Sequence, residues 1–155
     1  MIALKKARRP ITGLIWHCTA TPEGRWTTVA EIRAWHKARG WADIGYHYVV
    51  MLDGTIVEGR PVDKLGAHVA GHNMGTIGAV YVGGIDKMSF RAKDTRTPNQ
   101  KKSMLWLTQA LADLYPGLKR ISGHNEWTAA KACPSFKVPT DALGNIPGFK
   151  KGKRI

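Results

Sequence analysis

Ile11-Thr12-Gly13-Leu14-Ile15-Trp16-His17 is a short apolar run that follows Pro10 and ends on an imidazole. Its shortness, apolar residues and bounding proline predict a buried strand. Upstream, Lys5, Lys6, Arg8 and Arg9 make residues 1–9 a basic segment. Downstream, Thr28 and Glu31 are spaced as a capping box, with a helix to follow. That helix carries Val29, Ile32, Trp35 and His36 on one face and stops at Gly40, a residue suited to a left-handed stop.

The rest of the chain alternates in the same way. His47–Leu52 and Thr55–Arg60 flank Asp53-Gly54, whose residues supply the positive φ of a tight turn, so they predict a hairpin. Thr76–Val82 predicts another apolar strand, ending at Gly83-Gly84. Thr97-Pro98-Asn99-Gln100 opens a second helix with a cap, a first-position proline and a completed box. Met104, Leu107 or Leu105, Leu111 and Leu114 give that helix its apolar face, and Pro116-Gly117 ends it. Leu118–Ile121 predicts a strand leading into the loop that carries His124. From Lys137 the chain turns rich in Pro, Gly and Lys and reads as a basic, loosely held tail over residues 137–155. Alternating strands and helices define an α/β single domain with a central sheet, over residues 10–136.

The chain has 155 residues, 43% of them hydrophobic, with six Trp, which is enough for a packed core without disulfides. Its two cysteines, Cys18 and Cys133, lie far apart and are read separately, as core filler or metal ligand. Twenty-four Lys and Arg against 11 acidic residues give a formal charge of +13, so a polyanionic partner is expected: nucleic acid, an anionic membrane face or a cell wall. No apolar stretch reaches the roughly 20 residues of a membrane span, and no signal peptide is read at the start.

Two places suggest a metal. His17 ends a buried strand, and His124 and Cys133 lie nine residues apart in a loop flanked by Gly and Pro. Imidazole nitrogen and thiolate sulfur suit zinc, and a catalytic zinc keeps three protein ligands. A histidine at a strand end also fits a satisfied core residue, and His-x8-Cys is no zinc-finger spacing. The residues alone leave both readings open.

Local words in order sharpen this. Trp16-His17-Cys18-Thr19-Ala20-Thr21, Gly45-Tyr46-His47-Tyr48, Asp53-Gly54-Thr55, Gly66-Ala67-His68, Gly71-His72-Asn73, Ile77-Gly78, Gly123-His124-Asn125-Glu126 and Lys131-Ala132-Cys133-Pro134 follow one another. Together they resemble the zinc-dependent N-acetylmuramoyl-L-alanine amidase family. The resemblance is to its short phage-lysozyme type, with peptidoglycan recognition proteins further off, and it covers about residues 10–136.

The resemblance implies a central mixed β-sheet flanked by helices, with zinc at the floor of a groove. It carries the metal ligands onto His17, His124 and Cys133, and the active-site roles onto Tyr46 and Lys131. It implies His68 as a substrate-binding groove histidine. Cys18 keeps a structural role, since consecutive strand residues face opposite ways. Glu126 is read as a structural pair with a basic neighbour, and His36 and His47 as core or edge residues. The implied partner is bacterial peptidoglycan, cut by a monomer for host-cell lysis. The protein is made in the host cytoplasm and let through by a separate pore-forming protein. Some relatives also bind a phage RNA polymerase, but the motifs assign no surface to that contact.

Three rival readings are weighed. A glycan-cutting lysozyme needs two carboxylates about 5 to 9.5 Å apart, and several of the few acidic residues sit in turns or caps. A peptidoglycan-binding module without activity would lack the ligand cysteine, and Cys133 is present. A nucleic-acid binder would show a helix-turn-helix or finger pattern, and none is found. The basic ends, including Lys150, Lys151, Lys153 and Arg154, are expected either to aid solubility or to draw the protein to an anionic wall or membrane.

Overall fold

The structure, a computed structural model, describes residues 2–149. Its elements in chain order are β1 (Gly13–Cys18), β2 (Thr21–Pro22), α1 (Val29–Ala38), β3 (Tyr48–Val50), β4 (Ile56–Glu58), β5 (Thr76–Tyr81), β6 (Gly84–Ile85), α2 (Pro98–Leu114) and β7 (Arg120–Gly123). The main sheet runs β4-β3-β5-β1-β7, and β2 pairs with β6 beside it. β1 is parallel to both β5 and β7, β3 is parallel to β5, and β4 returns antiparallel on β3. This is the mixed sheet flanked by helices that the family resemblance implied.

β1 is flanked by strands on both sides, and all six of its residues are buried. Its alternation divides the core. Leu14, Trp16 and Cys18 face α2, packing with Met104, Leu107 and Leu111. On the opposite face Val49, Met51, Val80 and Val82 pack with Ile32 of α1 and with Ile44. His17 belongs to this second face by strand parity, and Cys18 to the first. Trp16 also donates its indole N–H to Thr108 at 3.1 Å, so this buried indole is paired.

The helix ends follow the expected chemistry, with one difference. At α2, Thr97 accepts from Gln100 N at 3.0 Å and the Gln100 side chain accepts from Thr97 N at 2.9 Å. At α1, Thr28 accepts from Glu31 N at 3.1 Å, but the Glu31 carboxylate turns to Arg25 at 3.2 Å. The reciprocal half of that expected box is therefore replaced by an ion pair. Trp35, expected on the buried face, is 38% exposed. Gly40 and Gly54 take φ of 90° and 88°, as a helix stop and a hairpin turn require.

At the ends, one expectation is corrected. Residues 137–149 are not a loose tail: 3-10 turns at Val138–Thr140 and Ala142–Asn145 press Val138, Leu143 and Ile146 into the α2-side core. Buried Arg96 clamps this segment, donating to Asp94 and Asp141 at 2.8 and 2.7 Å while lying 3.5 Å over the Phe136 ring. Within the basic N-terminal segment, Ala7 is buried and donates its N–H to the Tyr115 hydroxyl at 2.7 Å. Arg9 is structural too, donating to the carbonyls of Val62 and Thr76 at 2.7 and 3.0 Å. Lys150, Lys151, Lys153 and Arg154 lie outside the described residues.

Candidate metal centre

The sheet brings the two candidate histidines together through its register. Trp16 of β1 stands opposite Gly123 of β7, so the next residues, His17 and His124, emerge side by side. Their ring centroids are 4.8 Å apart. Ligand sites commonly form at the carboxyl ends of parallel strands, where successive loops diverge.

Cys133 arrives from the loop that follows. Asn125 N donates to Cys133 O at 2.8 Å, and the Asn125 side chain holds Phe136 O at 3.1 Å, so His124 and Cys133 are tied to one loop frame. Glu126 accepts from Gly123 N at 2.6 Å and faces Arg120 at 3.6 Å, a structural pairing that fixes the turn carrying His124. Trp127, next in the chain, donates to Ser122 at 2.8 Å and packs against Arg120 and His72.

The Cys133 sulfur lies 3.8 Å from His17 Nδ1 and accepts from Cys18 N at 3.1 Å. One donor atom from each of His17, His124 and Cys133 lies within 4.8 Å of the other two. The side chain of Cys18 points elsewhere, toward Ser135 at 3.8 Å. A tetrahedral zinc would separate a bound nitrogen and sulfur by about 3.6 Å. The observed sulfur–nitrogen spacing fits that ion with a shift of a few tenths of an ångström.

Above the donors opens a cleft of about 750 Å³. His124 and Cys133 reach its floor, Lys131 stands beside them, and Trp35, Trp41 and Phe90 contribute apolar walls. Tyr46 lines the same cleft, its ring centroid 5.1 Å from that of His17. Burial, with smaller contributions from Cys133 and Cys18, raises the Tyr46 hydroxyl far above the ordinary tyrosine value, so it stays a proton donor.

The imidazoles are held neutral, as metal ligands must be. Burial, then the neighbouring histidines, pushes His17 well below its usual value. Burial and then the Lys131 charge lower His124. His68 is brought down to about 3, mainly by burial.

His68 lies at the edge of the cleft, as a groove histidine would, but its ring is turned inward. It is 7% exposed, and both ring nitrogens are engaged inside the protein, by His17 and by Thr76. His47 is buried as expected, while buried His36 also lines the cleft. His36 accepts from Gly45 N through Nδ1 at 2.8 Å, and burial brings it to about 4. Thr76 and Asn73, which hold His68, went unread in the sequence. A threonine opening a strand carries no local mark of a partner eight residues away.

A His, His, Cys donor set beside an open cleft on a mixed sheet is an arrangement suited to metal-assisted hydrolysis. Residues 7–136 match the model of the family described as N-acetylmuramoyl-L-alanine amidase. The endolysin of Escherichia phage T7 is 42% identical over 134 residues, covering 86% of each chain. Among solved structures, the N-acetylmuramoyl-L-alanine amidase LysC from Clostridium intestinale URNW superposes with a TM-score of 0.77 at 25% identity, covering 96% of both chains. Drosophila PGRP-LB shares the fold at a TM-score of 0.72 and 22% identity, over 99% of this chain and 91% of its own. The chain belongs to the N-acetylmuramoyl-L-alanine amidase family.

Proposed function

We propose that the chain is a zinc-dependent endolysin. It hydrolyses the amide between N-acetylmuramic acid and L-alanine in bacterial peptidoglycan, for host-cell lysis. The convergence of His17, His124 and Cys133 donor atoms within 4.8 Å at the cleft floor carries this reading. Two imidazoles and a thiol suit zinc, and the three of them would hold it. Bound there, zinc supplies a Lewis acid that can lower the pKa of water from about 15.7 to roughly 7.

The chain's own residues supply the rest. Hydrolysis adds water across the C–N bond and leaves a carboxylate on the sugar side and the amino group of L-alanine. Charge develops on the carbonyl oxygen as water adds. Lys131, on the cleft wall beside Cys133, offers a positive charge to that oxygen. Tyr46, kept protonated and packed beside His17, offers a hydrogen bond from the same cleft. The apolar walls shed water around the bound glycan peptide and strengthen both interactions.

Access to the wall through a separate pore-forming protein belongs to the same proposal. So does electrostatic attraction of a chain of net charge +13 to anionic wall or membrane surfaces. No residues are assigned to a phage RNA polymerase contact. The test is to measure zinc stoichiometry together with the product released from purified sacculi. About one zinc per chain and new L-alanine amino ends are expected. New reducing sugar ends would instead make the protein a glycosidase.

A further inference from the structure

The role of His68 follows from the direction of three hydrogen bonds. Thr76 Oγ1 lies 2.7 Å from the carbonyl oxygen of His72. A carbonyl only accepts, so the single hydroxyl hydrogen of Thr76 points there. The same oxygen lies 3.2 Å from His68 Nε2 and must accept from it. His68 therefore carries its hydrogen on Nε2 and presents a lone pair at Nδ1. That nitrogen is 2.9 Å from His17 Nε2, which must be the donor. His17 is left with its lone pair on Nδ1, the atom that faces the Cys133 sulfur at 3.8 Å.

The chain of bonds is held in place from every side. Asn73 Oδ1 accepts from the backbone N–H groups of His68 and Val69 at 2.9 and 3.0 Å, pinning the loop. The His68 ring lies against Gly78, where any Cβ would come within 2.5 Å of its Cγ. Gly78 pairs with Ile15 in the ladder between β5 and β1. Its own N–H donates to His47 Nδ1 at 3.1 Å, so His47 closes the far side.

We propose that His68 is a positioning residue, not a substrate contact. With Thr76 as its anchor, it fixes the His17 tautomer that exposes Nδ1 to metal, in a space that Gly78 and Gly66 leave open. This rests on the zinc reading above. Partners that orient a ligand histidine typically change metal affinity by about 10- to 100-fold.

The test uses Thr76→Val, which keeps the shape and removes the acceptor, beside Thr76→Ser, which keeps the hydroxyl. Long-range proton–nitrogen NMR of the metal-free protein reads the ring protonation of His17, and chelator competition reads zinc affinity. The wild type and Thr76→Ser should show His17 protonated at Nε2. Thr76→Val should show a mixture of tautomers and bind zinc about 10- to 100-fold more weakly. An unchanged His17 tautomer in Thr76→Val overturns the proposal, whatever the affinity does. Wild-type protein that binds no zinc defeats the metal reading itself, while its NMR spectrum still reports on the tautomer.

Discussion

Trp16 and Gly123 face each other across the parallel ladder of β1 and β7. That pairing puts His17 and His124 one step further along adjacent strands, with ring centroids 4.8 Å apart. Two residues separated by more than a hundred positions thus become neighbours through backbone hydrogen bonds. Cys133 then has only to fold back over them.

Cys133→Ser and His124→Ala are expected to lose bound zinc and amidase activity, while Cys18→Ser keeps both. The side chain of Cys18 packs in the α2-side core beside Ser135, and its backbone N–H donates to the Cys133 sulfur. Metal content and release of L-alanine amino ends are the measurements. Zinc retained in Cys133→Ser but lost in Cys18→Ser would exchange the two assignments.

Lys131→Ala is expected to keep its zinc and still bind wall fragments, with turnover lower by about 100- to 1,000-fold, the scale of one oxyanion stabiliser. Tyr46→Phe should likewise retain zinc and lose turnover. Steady-state kinetics on soluble fragments separate kcat from KM. Unchanged turnover in Lys131→Ala would make that residue an ordinary surface lysine.

Leu143→Ala tests whether the final turns belong to the folded unit. The side chain is 2% exposed and sits in the α2-side core. A cost of about 2 to 5 kcal/mol is expected in urea unfolding, as for other buried leucines. A change below about 0.5 kcal/mol, the scale of a surface substitution, would return the segment to a loose tail.

The acid limb of stability should depend on His47. Burial brings its pKa to about 4, against about 6.5 in an unfolded chain. Between those values the unfolded state binds a proton that the folded state does not. Stability from this group is therefore full above about pH 6.5 and is lost as pH falls toward 4. The slope contributed is up to about 1.4 kcal/mol per pH unit. His47→Gln should show a shallower loss over that window than the wild type, even if it is less stable at pH 7.5. Parallel unfolding-midpoint curves for the two proteins would refute this.

Much of the fold is legible locally. The apolar run ending at His17, the Thr97 capping box and the Asp53-Gly54 turn each act through neighbours a few residues away, and each forms as read. Strand parity alone also separates His17 from Cys18. Beyond that, the family words in their order bring His17, His124 and Cys133 into one set. The packed segment from Val138 to Ile146 was not legible, because its Pro, Gly and polar residues resemble a loop while its three apolar side chains are too sparse for a period. The role of His68 was hidden for a different reason. A sequence states that an imidazole is present, but which nitrogen carries the hydrogen depends on what lies beside each one. Here that is set by Thr76, His17 and the missing side chain of Gly78, brought together by strand register and loop closure.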